Sequence, residues 1–150
     1  MKLFDSTTRF SEVCAGTPKW DRTLSALHTA GTLEPEVAHS VGDSLTYRRT
    51  SAARMHAAEF VGRRRYHLVV CPVSEPIDVE FAPQAALTAL TSYDDLSDRQ
   101  SFSGTGRTVT IPTGAVVIFD IGEAARITSC TASELVVLHV TVEGATFHNK

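Results

Sequence analysis

Six histidines, His28, His39, His56, His67, His139 and His148, are the residues in this sequence best suited to metal binding or proton transfer. None forms H-x-H, H-x-x-x-H or H-E-x-x-H, the spacings that put two ligands on one face of a strand or helix. Spacing therefore names no metal centre, and only a site assembled from distant strands is left. His139 and Asp120 stand out for a different reason. Each interrupts an otherwise apolar run, Leu135 to Val142 and Ala115 to Ile121 respectively. A buried polar group is costly unless it is paired. Either each is satisfied separately in the core, or the two strands carry both into one pocket.

Arg63, Arg64 and Arg65 run directly into Tyr66. At the start of a strand, their side chains should alternate faces. Two readings stay open: a solvated edge that discourages strand pairing, and a contact to an anion or carboxylate through the bidentate geometry of arginine. A formal net charge of −3 argues against nucleic acid, as does the lack of an aromatic platform near the arginines. Gly104-Thr105-Gly106-Arg107 has Val109 where a dinucleotide fingerprint needs its third glycine, and no G-x-x-x-x-G-K occurs. Asp94, Asp95, Asp98, Glu123 and Glu143 are candidate carboxylates. A glycosidase needs two of them at a fixed separation across a cleft, which chain spacing does not supply. There is no G-x-S-x-G nucleophile elbow. Cys14, Cys71 and Cys130 are odd in number and widely spaced, so they read as reduced, small hydrophobic residues rather than a disulfide framework.

The elements that must position these residues are mostly strands. Ser6 or Thr7 caps a short helix with Phe10 and Val13 on one face. Thr17-Pro18 opens a second helix, with Thr as the cap and Pro at the first helical position. Trp20, Leu24 and Leu27 recur at helical spacing, and Gly31 ends it. Leu33 to Asp43 reads as a loop, and Ser51 to Glu59 as a loop with a helical turn. Strands are expected at Leu45 to Thr50, Tyr66 to Val73, Pro76 to Ala82, Arg107 to Ile111, Ala115 to Ile121 and Leu135 to Val142. Pro76 to Ala82 alternates cleanly, with Ile77, Val79 and Phe81 inward. Thr113-Gly114 suits a tight turn. Ala85 to Thr91 is a short helix or a strand, and Thr91 to Thr105 a loop. Strands apolar on both faces, without long helices between them, point to a sandwich or a compact barrel.

With 150 residues, 43% hydrophobic and 21% charged, the chain fits one globular domain spanning 1–150. No apolar run approaches the ~20 residues that cross a bilayer, and residues 1–10 lack the apolar stretch of a signal peptide. The expectation is a soluble, cytoplasmic protein. A (β/α)₈ barrel, a common glycosidase scaffold, needs ~250 residues and is excluded.

Longer strings add a resemblance. Pro35 to Arg48 reads P-E-V-A-H-S-V-G-D-S-L-T-Y-R. Gly114 to Ile121 is followed by Glu123-Ala124. The chain ends with Val136-Val137-Leu138, Val140-Thr141-Val142-Glu143 and Phe147-His148-Asn149-Lys150. Together these resemble the small-subunit branch of evolved β-galactosidases within the YhcH/YjgK/YiaL family. The similarity runs from about Leu3 to the C-terminus, with at most a small insertion near Arg49 to Glu59. It implies a mainly β, cupin-like double-stranded β-helix, a jelly-roll-like barrel with short N-terminal helices. Stand-alone relatives handle sugars, including opening or anomerising sialic acid, and some hold a metal in the barrel. The small-subunit members are accessory to a large catalytic subunit that hydrolyses lactose.

The departures from that family matter as much. Similar chains carry His where this one has Arg63 and Gly122, acidic or His residues where it has Leu68 and Val70, and Lys where it has His139. Asp120 is kept. Leu68 and Val70 share a strand face, so the resemblance implies a metal pocket whose ligands have been replaced and a chain without a cofactor. Tyr66, Asp120 and His139 are the expected pocket residues. His39, Ser40, Asp43, Tyr47, Arg48, Phe147, His148, Asn149 and Lys150 are the expected docking residues. The leading expectation is a non-catalytic accessory subunit of a heteromeric β-galactosidase whose partner is the large catalytic subunit. The alternative is a sugar mutarotase or anomerase using His139 for proton transfer, with Asp120 or Tyr66 orienting a small sugar in the barrel. Nucleic acid and membrane are not expected partners. A lectin-like module is disfavoured by an aromatic content of only 7%.

Overall fold

The computed structural model describes residues 1–14, 16–41 and 45–142. In chain order the elements are β1 (Lys2–Phe4), α1 (Thr7–Cys14), α2 (Pro18–Ala30), β2 (His39–Val41), β3 (Leu45–Ser51), α3 (Ala52–Met55), β4 (Phe60–Gly62) and β5 (Tyr66–Pro72). Then follow β6 (Ile77–Pro83), a single 3₁₀ turn (Gln84–Ala86), β7 (Thr88–Ala89), β8 (Gln100–Ser103), β9 (Arg107–Ile111), β10 (Val116–Phe119), β11 (Glu123–Ile127) and β12 (Glu134–Thr141). The strands form two six-stranded antiparallel sheets, ordered β1-β10-β5-β12-β3-β2 and β7-β8-β4-β11-β6-β9. The fold is mainly β, of the sandwich or jelly-roll type, with short helices grouped near the N-terminus. No helix among the described residues is long and apolar enough to cross a membrane.

The first sheet is apolar on both faces because it has two covers. Val70, Val117, Phe119, Leu135 and Val137 point inward and meet Ile77, Val79, Phe81, Ile111 and Ile127 of the second sheet. The alternate residues, Val69, Val116, Ile118, Val136, Leu138 and Val140, point outward and meet Phe10, Ala26 and Ala30 of α1 and α2. Helices therefore lie on the outer face of the sheet, although none connects consecutive strands of it. Register is fixed by this arrangement, since a one-residue slip would exchange the two apolar sets. β12 is the centre of the sheet, paired with β3 from Glu134↔Ser51 to Val140↔Leu45 and with β5 from Leu135↔Pro72 to Thr141↔Tyr66.

Several local expectations need correction. In α1, Phe10 is fully buried but Val13 is 55% exposed, and Cys14 packs against the core instead. Ser6 is the residue at the start of α1 whose side chain accepts from the Arg9 amide, at 3.1 Å. Thr17 occupies the N-cap position of α2 without a side-chain bond, and the Asp21 carboxylate instead accepts from the Gly16 amide at 3.0 Å. The segment read as a loop before Asp43 contains β2, and the polar stretch Thr91 to Thr105 contains β8. β4 and β11 had no strand signature. Glu-Ala-Ala-Arg-Ile has neither strong alternation nor high β-propensity, and it is extended because β4 and β6 flank it on either side.

Candidate functional site

The apolar filling between the sheets stops before one end of the sandwich and leaves a cavity of about 600 Å³, within the size range of small-molecule sites. The change of character can be followed along single strands. On β12 the inward row runs Leu135, Val137, His139. On β5 it runs Val70, Leu68, Tyr66. On β3 the inward residues are Arg48 and Thr46. All of these except Leu135 and Val137 line the cavity. Arg54 and Met55 of α3, the arginine bend at 63–65 and the segment 96–99 complete the mouth. Leu68 and Val70 do share the inward face, as their spacing required.

The lining is rich in arginine. Arg126 is paired with Glu80, Nη2 to Oε1 at 2.7 Å, and also donates to the Ala58 carbonyl. Arg54 lies 3.9 Å from Glu36, and Arg65 Nη2 donates to the Asp95 carbonyl at 2.5 Å. Arg48, Arg63 and Arg99 have no carboxylate at ion-pair distance among the described residues. Arg48 Nη2 reaches only the Met55 sulfur, at 3.2 Å, and its Nε is buried with no partner. Arg63 Nη1 donates to the Asp98 backbone carbonyl at 3.2 Å. Burial, followed by the charges of Arg99 and Arg48, pushes the Arg63 guanidinium down to about 10 despite the opposing pull of Asp98. It still carries its proton at neutral pH.

Asp98 is the one carboxylate among the described residues that line the cavity, and it is committed to structure. It is 3% exposed. Its carboxylate accepts from the Arg64 amide at 2.9 Å, from the Arg65 amide at 3.2 Å and from the Tyr93 hydroxyl at 2.5 Å. Its φ of +52° is in the left-handed region, where Asp is among the better-tolerated non-glycine residues. This clamp explains why the arginine run is not the alternating start of a strand. Arg64 and Arg65 bend around the Asp98 carboxylate, Arg63 turns into the cavity, and β5 starts only at Tyr66. Arg64 and Arg65 are exposed, and Arg64 stacks on Tyr93, with its guanidinium 4.2 Å from the ring centroid.

His139 Nε2 is buried with no hydrogen-bond partner. Burial, with Arg63 and Arg48 adding to it, pushes the His139 imidazole down to about 3. It is therefore neutral at pH 7. Asp120 does not join it. Phe119 pairs with Leu68, and Asp120, just past the end of β10, falls beside His67 rather than His139. Asp120 is 49% exposed, with Oδ1 3.5 Å from His67 Nδ1. That contact is not a hydrogen bond. Burial and the charge of Lys19 hold His67 below its ordinary value, with Asp120 opposing. The expectation of one pocket holding both Asp120 and His139 is thus corrected: His139 and Tyr66 line the large cavity, and Asp120 lines a separate small pocket beside Arg63, Tyr66 and Leu68.

The remaining candidates separate in the same way. His39 stacks on Tyr47, ring centroids 5.5 Å apart, and Tyr47 packs with the helix-side core. Arg48, expected on a docking surface, faces the cavity. Ser40 is exposed on the edge strand β2. Gly122 lies exposed in the turn between β10 and β11, with open space where a side chain would be. Asp43, Phe147, His148, Asn149 and Lys150 lie outside the described residues. At the positions where the resemblance implied metal ligands, the side chains offer none. Leu68 and Val70 have no lone pairs, and protonated Arg63 has no acceptor. No group of three or more His, Cys, Asp or Glu among the described residues is placed to hold an ion. Sequence reading named Asp98 among the candidate carboxylates without placing it, and missed Arg99; the signal was an Asp-Arg pair at the end of an Asp-rich loop. No known protein-family model matches the chain.

Proposed function

We propose that this chain is a non-catalytic accessory subunit of a heteromeric β-galactosidase, built on a cupin-like barrel, with lactose hydrolysis carried out by a large partner subunit. The observation that carries this reading is the single carboxylate of the cavity. Retaining and inverting glycosidases of the usual kind use two carboxylates across the scissile bond. Here the Asp98 carboxylate already accepts from two amides and a phenol, and no second carboxylate faces it among the described lining residues. The resemblance of Pro35 to Arg48 and of the strings after Gly114 to evolved β-galactosidase small subunits suggests the partner's class. The test is lactose hydrolysis by a large subunit with and without this chain, with light scattering on the same mixtures. A stable complex with raised activity is expected. No complex and no activation overturns the proposal.

A second reading, a sugar mutarotase, is favoured by one observation. His139 is neutral and has an unpartnered ring nitrogen in a cavity of sugar size. In this role His139 takes or gives a proton at the anomeric centre, with Tyr66 nearby to orient the ring. Faster loss of the slow polarimetric phase of freshly dissolved galactose, abolished in His139→Ala, is the expected result. An inert chain counts against it.

A further inference from the structure

The cavity concentrates positive charge in a protein whose formal net charge is −3. Arg48 comes from β3, Arg63 from the 63–65 bend, and Arg99 from the residue just before β8, where its backbone bridges to Asp94. They are close enough to depress the protonation of Arg63 and His139. Asp98 opposes this charge only in part, because its carboxylate is engaged by the Arg64 and Arg65 amides and the Tyr93 hydroxyl, and no carboxylate lies at ion-pair distance from the three among the described residues. Two polar atoms at the same place, Arg48 Nε and His139 Nε2, are buried and unpartnered. Gathering three guanidinium groups against one already engaged carboxylate is unfavourable, and leaving buried polar atoms without a partner costs the desolvation of each. Both penalties are relieved by one kind of ligand, an oxyanion, because guanidinium presents a fork of N–H groups matched to carboxylate or phosphate oxygens. Below the arginines the floor is apolar, with Leu68, Val70, Val79 and Ile127. The site is therefore suited to a molecule with a charged head and a less polar body, not to a bare ion.

We propose that the cavity binds a small organic oxyanion, its carboxylate or phosphate head held by Arg48, Arg63 and Arg99, with its body against Leu68 and Val70. Arg48, Arg63 and Arg99 all belong to one chain, so this inference holds whether or not the chain assembles with a catalytic subunit. It goes beyond the mutarotase reading by naming a charged ligand class for the same cavity. Neutral His139 can donate through one ring nitrogen or accept through the other. It therefore contributes orientation, while the arginines contribute the charge.

The experiment is calorimetric titration of the isolated full-length chain with three probes of one size: galacturonate, galactose 6-phosphate and neutral galactose. At least one charged probe is expected to bind with a Kd below about 1 mM, and galactose at least tenfold more weakly. The stronger of the two charged probes identifies whether the head is carboxylate or phosphate. Arg63→Gln and Arg99→Gln should each weaken the charged probe at least tenfold. Arg99 is exposed and Arg63 half-buried, so Arg99→Gln keeps the fold even where the Arg63 change does not. Galactose binding as tightly as the charged probes overturns the proposal, as does charged-probe binding unchanged in Arg99→Gln, or no binding of either charged probe. Failure here leaves complex formation with a large subunit untouched, because that measurement does not depend on cavity occupancy.

Discussion

His139 is the residue whose environment makes the most specific demand. Its imidazole is pushed down to about 3 in the folded chain, against ~6.5 when unperturbed. Between those values the unfolded chain binds a proton that the folded chain does not. This contribution to stability is complete above pH ~6.5 and is lost progressively as pH falls toward the folded value. One such group gives a slope of at most about 1.4 kcal/mol per pH unit. His139→Gln should therefore flatten the dependence of unfolding free energy on pH between about pH 4 and 6, measured by urea denaturation. Asp98 tests the opposite kind of residue, a carboxylate with its bonds already made. Asp98→Ala leaves two amides and the Tyr93 hydroxyl without their acceptor and should cost about 2–4 kcal/mol. Its legibility differed too. His139 was visible in the sequence as a break in an apolar run, and it does line the cavity. Asp98 and Arg99 sat in a polar stretch where spacing carries no information about which side chains turn inward.

Elements with a strict period were legible, and elements held by their neighbours were not. The alternation of Ile77, Val79 and Phe81 was read correctly because one face of β6 meets the core. The doubly apolar β10 and β12 were read as buried on both sides. Their outer cover is the pair α1 and α2, whose short amphipathic faces were seen without showing where they dock. β11 was invisible because its extended form is imposed from both flanks. The docking of α1 rests on Phe10, which meets Phe4 and Trp20 edge-on at centroid distances of 5.5 and 6.0 Å. Phe10→Ala should cost about 3–5 kcal/mol, whereas Val13→Ala, a change at the exposed position that sequence periodicity had placed inward, should stay within ~0.5 kcal/mol. Both are read from urea midpoints. The turn between β9 and β10 depends on Gly114 at φ +82°. A side chain there has open space but the wrong backbone, so Gly114→Ala should cost about 1–2 kcal/mol from conformation alone.

Across the whole molecule, order is unevenly distributed, and the cavity lies at the boundary. β12 and β5 are central in their sheet, share seven register pairs and are covered on both faces. β2 and β7 are edge strands of three and two residues. The 93–99 segment is held by few packed apolar contacts and by the Asp98 clamp, and Leu96 within it is 96% exposed. Local opening follows such differences, from nearly free at edges to the global unfolding free energy in a core. Amide exchange should therefore be slowest at residues 69–71 and 136–140 and fast in β2, β7 and 93–99. A ligand that bridges Arg48, Arg63 and Arg99 would tie β3, the arginine bend and the 93–99 segment together. It binds the closed segment more tightly than the open one, so exchange at Arg64, Arg65 and 94–99 should slow in proportion to occupancy, while the β12 core gains only the global linkage term. Hydrogen exchange with and without the charged sugar probe separates this from binding elsewhere on the surface, which would leave the arginine bend and the 93–99 segment no better protected than the rest of the chain.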